Sequence, residues 1–102
     1  MNTKDLKCFQ AVYEERSVSR AARRLFITPQ GLSKNIRQLE EELHAVLFVR
    51  TSHGMAPTES GRFLYERSGR VIRQLEEIEN GLRQLEQRRE RIRIGCANGA
   101  LN

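Results

Sequence analysis

The apolar residues at the start of the chain recur with the 3.6-residue period of an amphipathic helix. In the first stretch, from about residue 4 to residue 15, the apolar face consists of Leu6, Phe9, Val12 and Tyr13. Thr3 stands where its hydroxyl can cap the start of this helix by accepting a bond from a free backbone N–H group. The pattern therefore predicts a first helix that buries one face in a small core.

A short second helix and a tight turn are predicted to follow. Either Ser17 or Ser19 can cap this helix. Its inward-facing residues are Ala21, Ala22 and Leu25, and small side chains at this spacing let another helix approach closely. Pro29 disfavours a helical conformation at Thr28 and suits the first position of the next helix, with Thr28 as its cap. Two helices joined in this way indicate a helix-turn-helix.

The third helix, over about residues 29–43, has a narrow apolar stripe and a polar face opposite to it. The stripe consists of Leu32, Ile36, Leu39 and Leu43, and the opposite face of Gln30, Lys34, Arg37, Gln38 and Glu41. Amide and cationic side chains can pair with adenine N6 and N7 or guanine O6 and N7 in the major groove of DNA. Ser33 lies nearer the stripe, so it can contact either a base or a neighbouring helix. This helix is therefore predicted to read bases.

After the third helix the pattern becomes that of a small β-hairpin. Residues 47–50 form a strand-like run, residues 51–55 have the polar and glycine content of a hairpin tip, and residues 56 and 57 complete the second strand. Such a wing can contact the minor groove or flanking phosphates through Arg50 at its mouth and through Ser52 and His53 at its tip. Arg50 can instead pair with the acidic residues that end the third helix.

A long final helix is predicted to begin after Thr58, which can cap it. Apolar residues recur on it at the heptad spacing of a coiled coil. This predicted dimerisation seam consists of Leu64, Val71, Leu75, Ile78, Leu82 and Leu85, with Ser68 at one further core position. One isolated helix cannot bury so narrow a stripe, so the pattern favours pairing with a second copy. The alternative is a helix that lies on its own domain.

The predicted fold class is all-α with a small β-wing, a winged helix-turn-helix followed by a long dimerising linker helix. The winged part spans residues 1–58 and the linker helix residues 59–90. Ile92 to Cys96 alternate like a β-strand, and a single strand makes no sheet. We therefore expect residues 91–102 to be the start of a second, truncated domain.

The distribution of charge favours a polyanionic partner. Lys and Arg number 18 against 13 Asp and Glu, a formal net charge of +5. From Arg16 through Leu39 there are no acidic residues, and the cations there are Arg16, Arg20, Arg23, Arg24, Lys34 and Arg37. A solvated helix face would normally mix both signs, so this segregation indicates a nucleic-acid surface rather than a merely basic protein.

The sequence offers no support for catalysis or for a membrane location. The two cysteines and two histidines form no cluster with metal-ligand spacing, and there is no glycine-rich phosphate loop or nucleophile elbow. The chain opens without a signal peptide and has no long apolar run, so we expect a cytoplasmic protein that is not an enzyme and needs no metal. The remaining alternative to DNA binding is a helical protein-interaction module with an incidental basic face.

A series of residues matches, in order and without a gap, the pattern of a known family. They are Leu6, Phe9, Val12, Ser17, Ala21, Ala22, Leu25, Leu32, Ser33, Ile36, Leu39, Glu40, Leu43, Leu47, Phe48, Arg50, Thr58 and Gly61. Any two or three of them would be weak evidence, whereas the whole series is specific. The chain thus resembles, over essentially its whole length, the N-terminal domain of LysR-type transcriptional regulators.

This resemblance implies a domain that binds promoter DNA as a dimer or tetramer through paired linker helices. It also implies an effector-binding domain beyond residue 91 for a small-molecule effector of the full-length protein, and no cofactor in the part present here. The predicted DNA-binding residues are Thr28, Gln30, Ser33, Lys34 and Arg37 on the third helix, Arg50, Ser52 and His53 in the wing, and Arg20, Arg23 and Arg24 on the second helix. Contacts from the second helix would be to phosphates, and at least one of its three arginines is expected to be simply solvated.

One departure from the family pattern lies at the start of the recognition helix. The family commonly has Gln and then Pro or Ser where this chain has Pro29 and Gln30, and commonly Ala at the position of Gly31. The amide is thereby displaced by about 100° around the helix axis. Its contact cannot be transferred directly, and we expect Gln30 to take its place.

Overall fold

The computed structural model describes the backbone of residues 1–96 and the side chains of residues 1–89. Its elements are α1 (Thr3–Glu15), α2 (Val18–Leu25), α3 (Pro29–Leu43), β1 (Phe48–Thr51), β2 (Gly54–Pro57) and α4 (Glu59–Cys96). The two strands form one antiparallel hairpin, with Phe48 opposite Pro57 and Thr51 opposite Gly54. The predicted fold class, a winged helix-turn-helix followed by a long helix, is confirmed.

The three short helices begin at polar caps, and one of these differs from the prediction. Asn2, rather than Thr3, caps α1, because its side chain accepts the Asp5 N–H while Asp5 accepts the Asn2 N–H, so two free donors are satisfied reciprocally. Thr3 is the first helical residue. Ser17 caps α2, which decides between the two serines, and Thr28 caps α3 as predicted.

The core lies where α1, α2 and α3 meet the entrance of the wing. Phe9 at its centre is fully buried and packs against the ring of Phe48, with centroids 5.3 Å apart. The other members of this buried cluster are Cys8, Ala11, Val12, Ala21, Ala22, Leu32, Ile36, Leu39 and Leu47. Leu47 and Phe48 therefore anchor the hairpin in the same core that the helices share.

Two glycines allow close backbone approaches that hold the wing in place. Gly54 has a φ of 117°, and a Cβ atom there would lie 2.5 Å from the carbonyl oxygen of Arg16. That carbonyl accepts the Met55 N–H at 3.0 Å, so β2 is bonded to the corner between α1 and α2. A Cβ atom on Gly61 would lie 2.3 Å from the Leu47 carbonyl oxygen, so glycine lets the first turn of α4 approach the start of β1.

The first part of α4 packs on α1. Ser68 is buried, and its hydroxyl accepts a hydrogen bond from the Gln10 side-chain amide at 3.0 Å. The rings of Tyr13 and Tyr65 stack with centroids 3.9 Å apart. Assigning Ser68 to the dimerisation seam was therefore wrong, because its hydroxyl has a partner within its own domain. Leu64 is also partly buried against the core.

The chain divides into two compact units, the first being Met1–Ile72 and the second beginning at Arg73. In the second unit the backbone stays helical to Cys96, so the strand predicted for Ile92 to Cys96 is wrong. A strand needs a neighbouring strand to bond its backbone groups, whereas a helix bonds them within the segment itself. Residues 97–102, the remainder of the predicted second domain, lie outside the described residues.

Replacing Gly61 by Ala tests the close approach between α4 and the Leu47 carbonyl. The new methyl group would force the backbone apart, and we expect the free energy of unfolding to fall by about 1–3 kcal/mol. Gly69→Ala in the same helix is the matched control, since its Cβ atom would meet only the Gln10 amide nitrogen at 3.9 Å. That variant should be neutral or gain up to about 1 kcal/mol from helix propensity. Urea unfolding at one protein concentration measures both, and equal stabilities would contradict the role given to Gly61.

Candidate nucleic-acid interface

Helix α3 presents its polar face to solvent as predicted. The side chains of Gln30, Lys34 and Arg37 are exposed, and within the described part of the chain none of them makes a hydrogen bond or ion pair. They are therefore available to an external partner. Ser33 is half-buried beside the apolar stripe, so the structure leaves both of its predicted roles open.

The start of α3 is held by Thr28. Its hydroxyl oxygen accepts the Gly31 N–H at 3.0 Å, and a Cβ atom on Gly31 would lie 3.0 Å from the same oxygen. The Thr28 side chain is exposed while it serves as the cap. Pro29 follows at the first helical position, where a missing N–H group costs nothing.

The orientation of α3 depends on two polar contacts that sequence reasoning missed. The Asn35 side-chain amide donates to Asp5 at 3.1 Å, which connects the middle of α3 to the first turn of α1. Near the other end, Glu40 accepts the backbone N–H groups of Leu47 at 2.7 Å and Phe48 at 3.3 Å. The sequence marks Glu40 through its place in the family pattern and its position beside the apolar stripe, but neither identifies its partners.

The wing carries its predicted residues at exposed positions. Arg50 lies on β1 opposite Met55, and Ser52 and His53 form the tip. The Thr51 hydroxyl donates to the Gly54 carbonyl at 2.9 Å and accepts the His53 N–H at 3.2 Å, which fixes the turn. Among the side chains described, Arg50 forms no ion pair, so the alternative in which it pairs with the acidic end of α3 is not observed.

The three arginines of α2 differ in their surroundings. Arg24 pairs with Glu14 at 2.8 Å and with Glu15 at 3.4 Å. Arg20 donates to the Glu15 carbonyl at 3.0 Å and lies 3.9 Å from its carboxylate. The Arg23 side chain is exposed and, within residues 1–89, makes no hydrogen bond or ion pair. Of the three, Arg23 is therefore the one whose side chain is not engaged by another described residue.

The Glu14 carboxylate is held from two sides. It accepts the Tyr65 hydroxyl at 2.6 Å as well as the Arg24 guanidinium. The Tyr65 hydrogen bond, followed by the bond and charge of Arg24, lowers the pKa of Glu14, and Glu14 in turn raises the pKa of Arg24 and of Tyr65. The lowered pKa of Glu14 and the raised pKa of Arg24 favour the ionised pair, so both residues are charged near neutral pH.

Two other kinds of feature, a metal-ligand cluster and a membrane-spanning helix, do not occur among the described residues. These residues include no group of three or more His, Cys, Asp or Glu side chains placed to hold a metal ion. No helix among them is both long enough and apolar enough to cross a membrane. The predicted DNA-binding residues, by contrast, all lie in the unit Met1–Ile72.

Comparison with known proteins agrees with this geometry. Residues 3–62, more than half of the chain, match the family model described as "Bacterial regulatory helix-turn-helix protein, lysR family". The nitrogen assimilation regulatory protein nac of Klebsiella aerogenes is 34% identical over 100 residues, which cover 97% of this chain and 33% of that protein. The transcriptional regulator YofA of Bacillus subtilis is 36% identical over 95 residues, covering 93% of this chain and 33% of YofA. The chain thus spans about a third of the length of the curated relatives it matches.

Solved structures of DNA complexes share the fold. The BenM DNA-binding domain in complex with catB site 1 DNA superposes with a TM-score of 0.76 at 31% identity, covering 84% of this chain and 97% of that one. The CbnR DNA-binding domain in its DNA complex gives a TM-score of 0.78 at 27% identity, covering 84% and 99%. On the family match and these likenesses, the chain belongs to the LysR family of bacterial regulatory helix-turn-helix proteins.

Proposed function

We propose that this chain is the DNA-binding part of a transcription regulator that recognises specific promoter or operator sequences. The observation that carries the proposal is the exposed face of α3, on which Gln30, Lys34 and Arg37 have no partner among the described side chains. These residues can donate to base edges, and α3 is bonded to α1 through Asp5 and to the start of the wing through its own Glu40. Arg50, Ser52 and His53 of the wing and Arg23 of α2 would add contacts to phosphates or to the minor groove.

In this proposal four of the predicted DNA-binding residues have more limited roles. Thr28 approaches the DNA only while capping α3, and Ser33 is partly turned toward the helix stripe. Arg20 and Arg24 are engaged by carboxylates of α1, so they contribute less than Arg23. The BenM and CbnR DNA-binding domains, which were solved in complex with DNA, share this fold.

We also propose that the protein acts as a dimer through α4. In the second unit the side chains of Leu75, Ile78, Leu82 and Leu85 are 36%, 59%, 57% and 54% exposed, an apolar stripe that water disfavours. Val71 precedes them with 39% exposure. Leu64 packs partly on its own core and would add less to the pairing.

The wider properties of the protein follow from family membership and are likewise proposals. A regulator of this family acts on DNA in the cytoplasm and is not an enzyme. A longer chain of this protein would carry a domain for a small-molecule effector and would assemble as a dimer or tetramer. The chain matches 29% of full-length CbnR and 28% of full-length BenM, so both of those proteins extend well beyond it. The part described here would need no cofactor of its own.

Base-reading and phosphate-contacting arginines should respond differently to replacement. Arg37→Ala is expected to cost about 1–3 kcal/mol on duplexes selected from a random pool and much less on random duplex, since a base contact carries sequence information. Arg23→Ala should weaken both alike and make the slope of log affinity against log salt shallower by about 1.8, because a dimer loses two phosphate contacts. Fluorescence anisotropy across a salt series measures all four combinations. Equal losses on both duplexes for Arg37→Ala would reassign it to the backbone.

The dimer proposal is tested at the middle of the apolar stripe. Ile78→Asp should dissociate the dimer, because it buries an unpaired charge at the interface. Gln84→Asp, which adds the same charge at an exposed position outside the stripe, is the control and should remain dimeric. Sedimentation equilibrium at micromolar concentration distinguishes the two, and a monomeric parent protein would refute the pairing. A dimer that shows no salt-dependent affinity for any duplex would instead favour a protein-interaction module.

A further inference from the structure

The carboxylates of Glu14 and Glu15 lie at the end of α1 where they disfavour the helix. Both belong to its last turn, where the helix dipole is negative, and that turn contains no basic residue. Neither residue is explained by helix stability. Both face cations of α2 across the corner between the two helices.

The contacts in this corner reach two of the three α2 arginines. Arg24 meets one carboxylate at 2.8 Å and the other at 3.4 Å, and Arg20 is bonded to the Glu15 carbonyl and lies 3.9 Å from its carboxylate. Tyr65 holds Glu14 in place through a 2.6 Å hydrogen bond from α4. Arg23, between them in sequence, has no such contact among the described residues.

We propose that Glu14 and Glu15 are positioning residues for the DNA-binding surface, which hold Arg20 and Arg24 on the protein and so limit sequence-independent binding to DNA. The proposal rests on the DNA-binding function proposed above. Contacts from α2 to phosphates add affinity for every sequence equally, whereas α3 discriminates between sequences. Restraining two of the three cations therefore lowers the affinity for selected and random duplexes by the same factor.

The restraint is graded rather than absolute. The side chains of Arg20 and Arg24 are 60% and 46% exposed, so water screens the ion pairs and a phosphate can compete for the cations. Weakening the carboxylate partners should therefore shift this competition toward DNA without changing the fold.

Glu15→Gln is the direct test, since it removes the charge and keeps the shape. We expect affinity for random duplex to rise by about twofold to tenfold at moderate salt, because both protomers of a dimer release cations. The slope of log affinity against log salt should steepen by about 1.8, one new phosphate contact in each protomer. Affinity for the selected duplex should rise by the same factor, so the ratio of affinities for selected and random duplex should stay unchanged.

Two comparisons separate this from a general effect of net charge. Glu66→Gln makes the same change in charge at an exposed residue whose side chain makes no hydrogen bond or ion pair among the described residues. It should leave the slope of log affinity against log salt unchanged. In a background with Arg20→Ala and Arg24→Ala, Glu15→Gln should lose its effect beyond that of Glu66→Gln. Circular dichroism checks that each variant is folded.

The outcomes are distinguishable from failure of the proposed function. If the parent protein binds no duplex selectively, the proposed function itself is wrong. If the parent binds selectively but Glu15→Gln leaves affinity and salt slope unchanged, or changes them no more than Glu66→Gln does, the positioning role of the carboxylates is overturned.

Discussion

The backbone around Leu47 fixes three elements of the DNA-binding unit to one another. Its N–H group donates to Glu40 of α3, its carbonyl accepts the Thr58 N–H at the start of α4, and its side chain is buried in the core. Gly61 is needed because a side chain there would collide with the same carbonyl. The recognition helix, the wing and the first turn of α4 are thus all connected by contacts at Leu47, and the position of the wing beside α3 depends on these contacts.

The cations of α2, α3 and the wing differ in what surrounds them. Those of α3 and the wing, such as Lys34 and Arg50, face solvent, and no acidic side chain in the described structure pairs with them. Arg20 and Arg24 of α2 face carboxylates of α1. A net charge of +5 therefore does not by itself measure affinity for DNA. Arg20 and Arg24 are engaged by carboxylates, whereas Lys34, Arg50 and also Arg23 of α2 form no ion pair among the described side chains.

Helix α4 has different surroundings in its two parts. In the first unit Ser68 and Ile72 are buried on the side of their own domain, and Tyr65 stacks on Tyr13. In the second unit the side chains of Ile78 and the neighbouring leucines are 36–59% exposed, which is the reason to expect a second copy that buries them. A heptad pattern read across both units treats them as one seam, and for that reason it misplaced Ser68.

Local sequence determined most of the fold, because helix period, caps and turn chemistry depend on residues a few positions apart. The stripe of Leu32, Ile36 and Leu39, the Thr28 cap and the existence of the hairpin were predicted correctly. The tip was predicted too long, because Thr51 pairs with Gly54 and Arg50 with Met55, which leaves only residues 52 and 53 between the strands. Tertiary structure alone decided the contacts between distant residues. Ser68 bonds to Gln10, 58 residues away, and Glu40 accepts the Leu47 N–H at the start of the wing. Arg24, but not Arg23, pairs with the carboxylate of Glu14. Such pairings follow from how helices pack in space, and no periodicity along the chain encodes them.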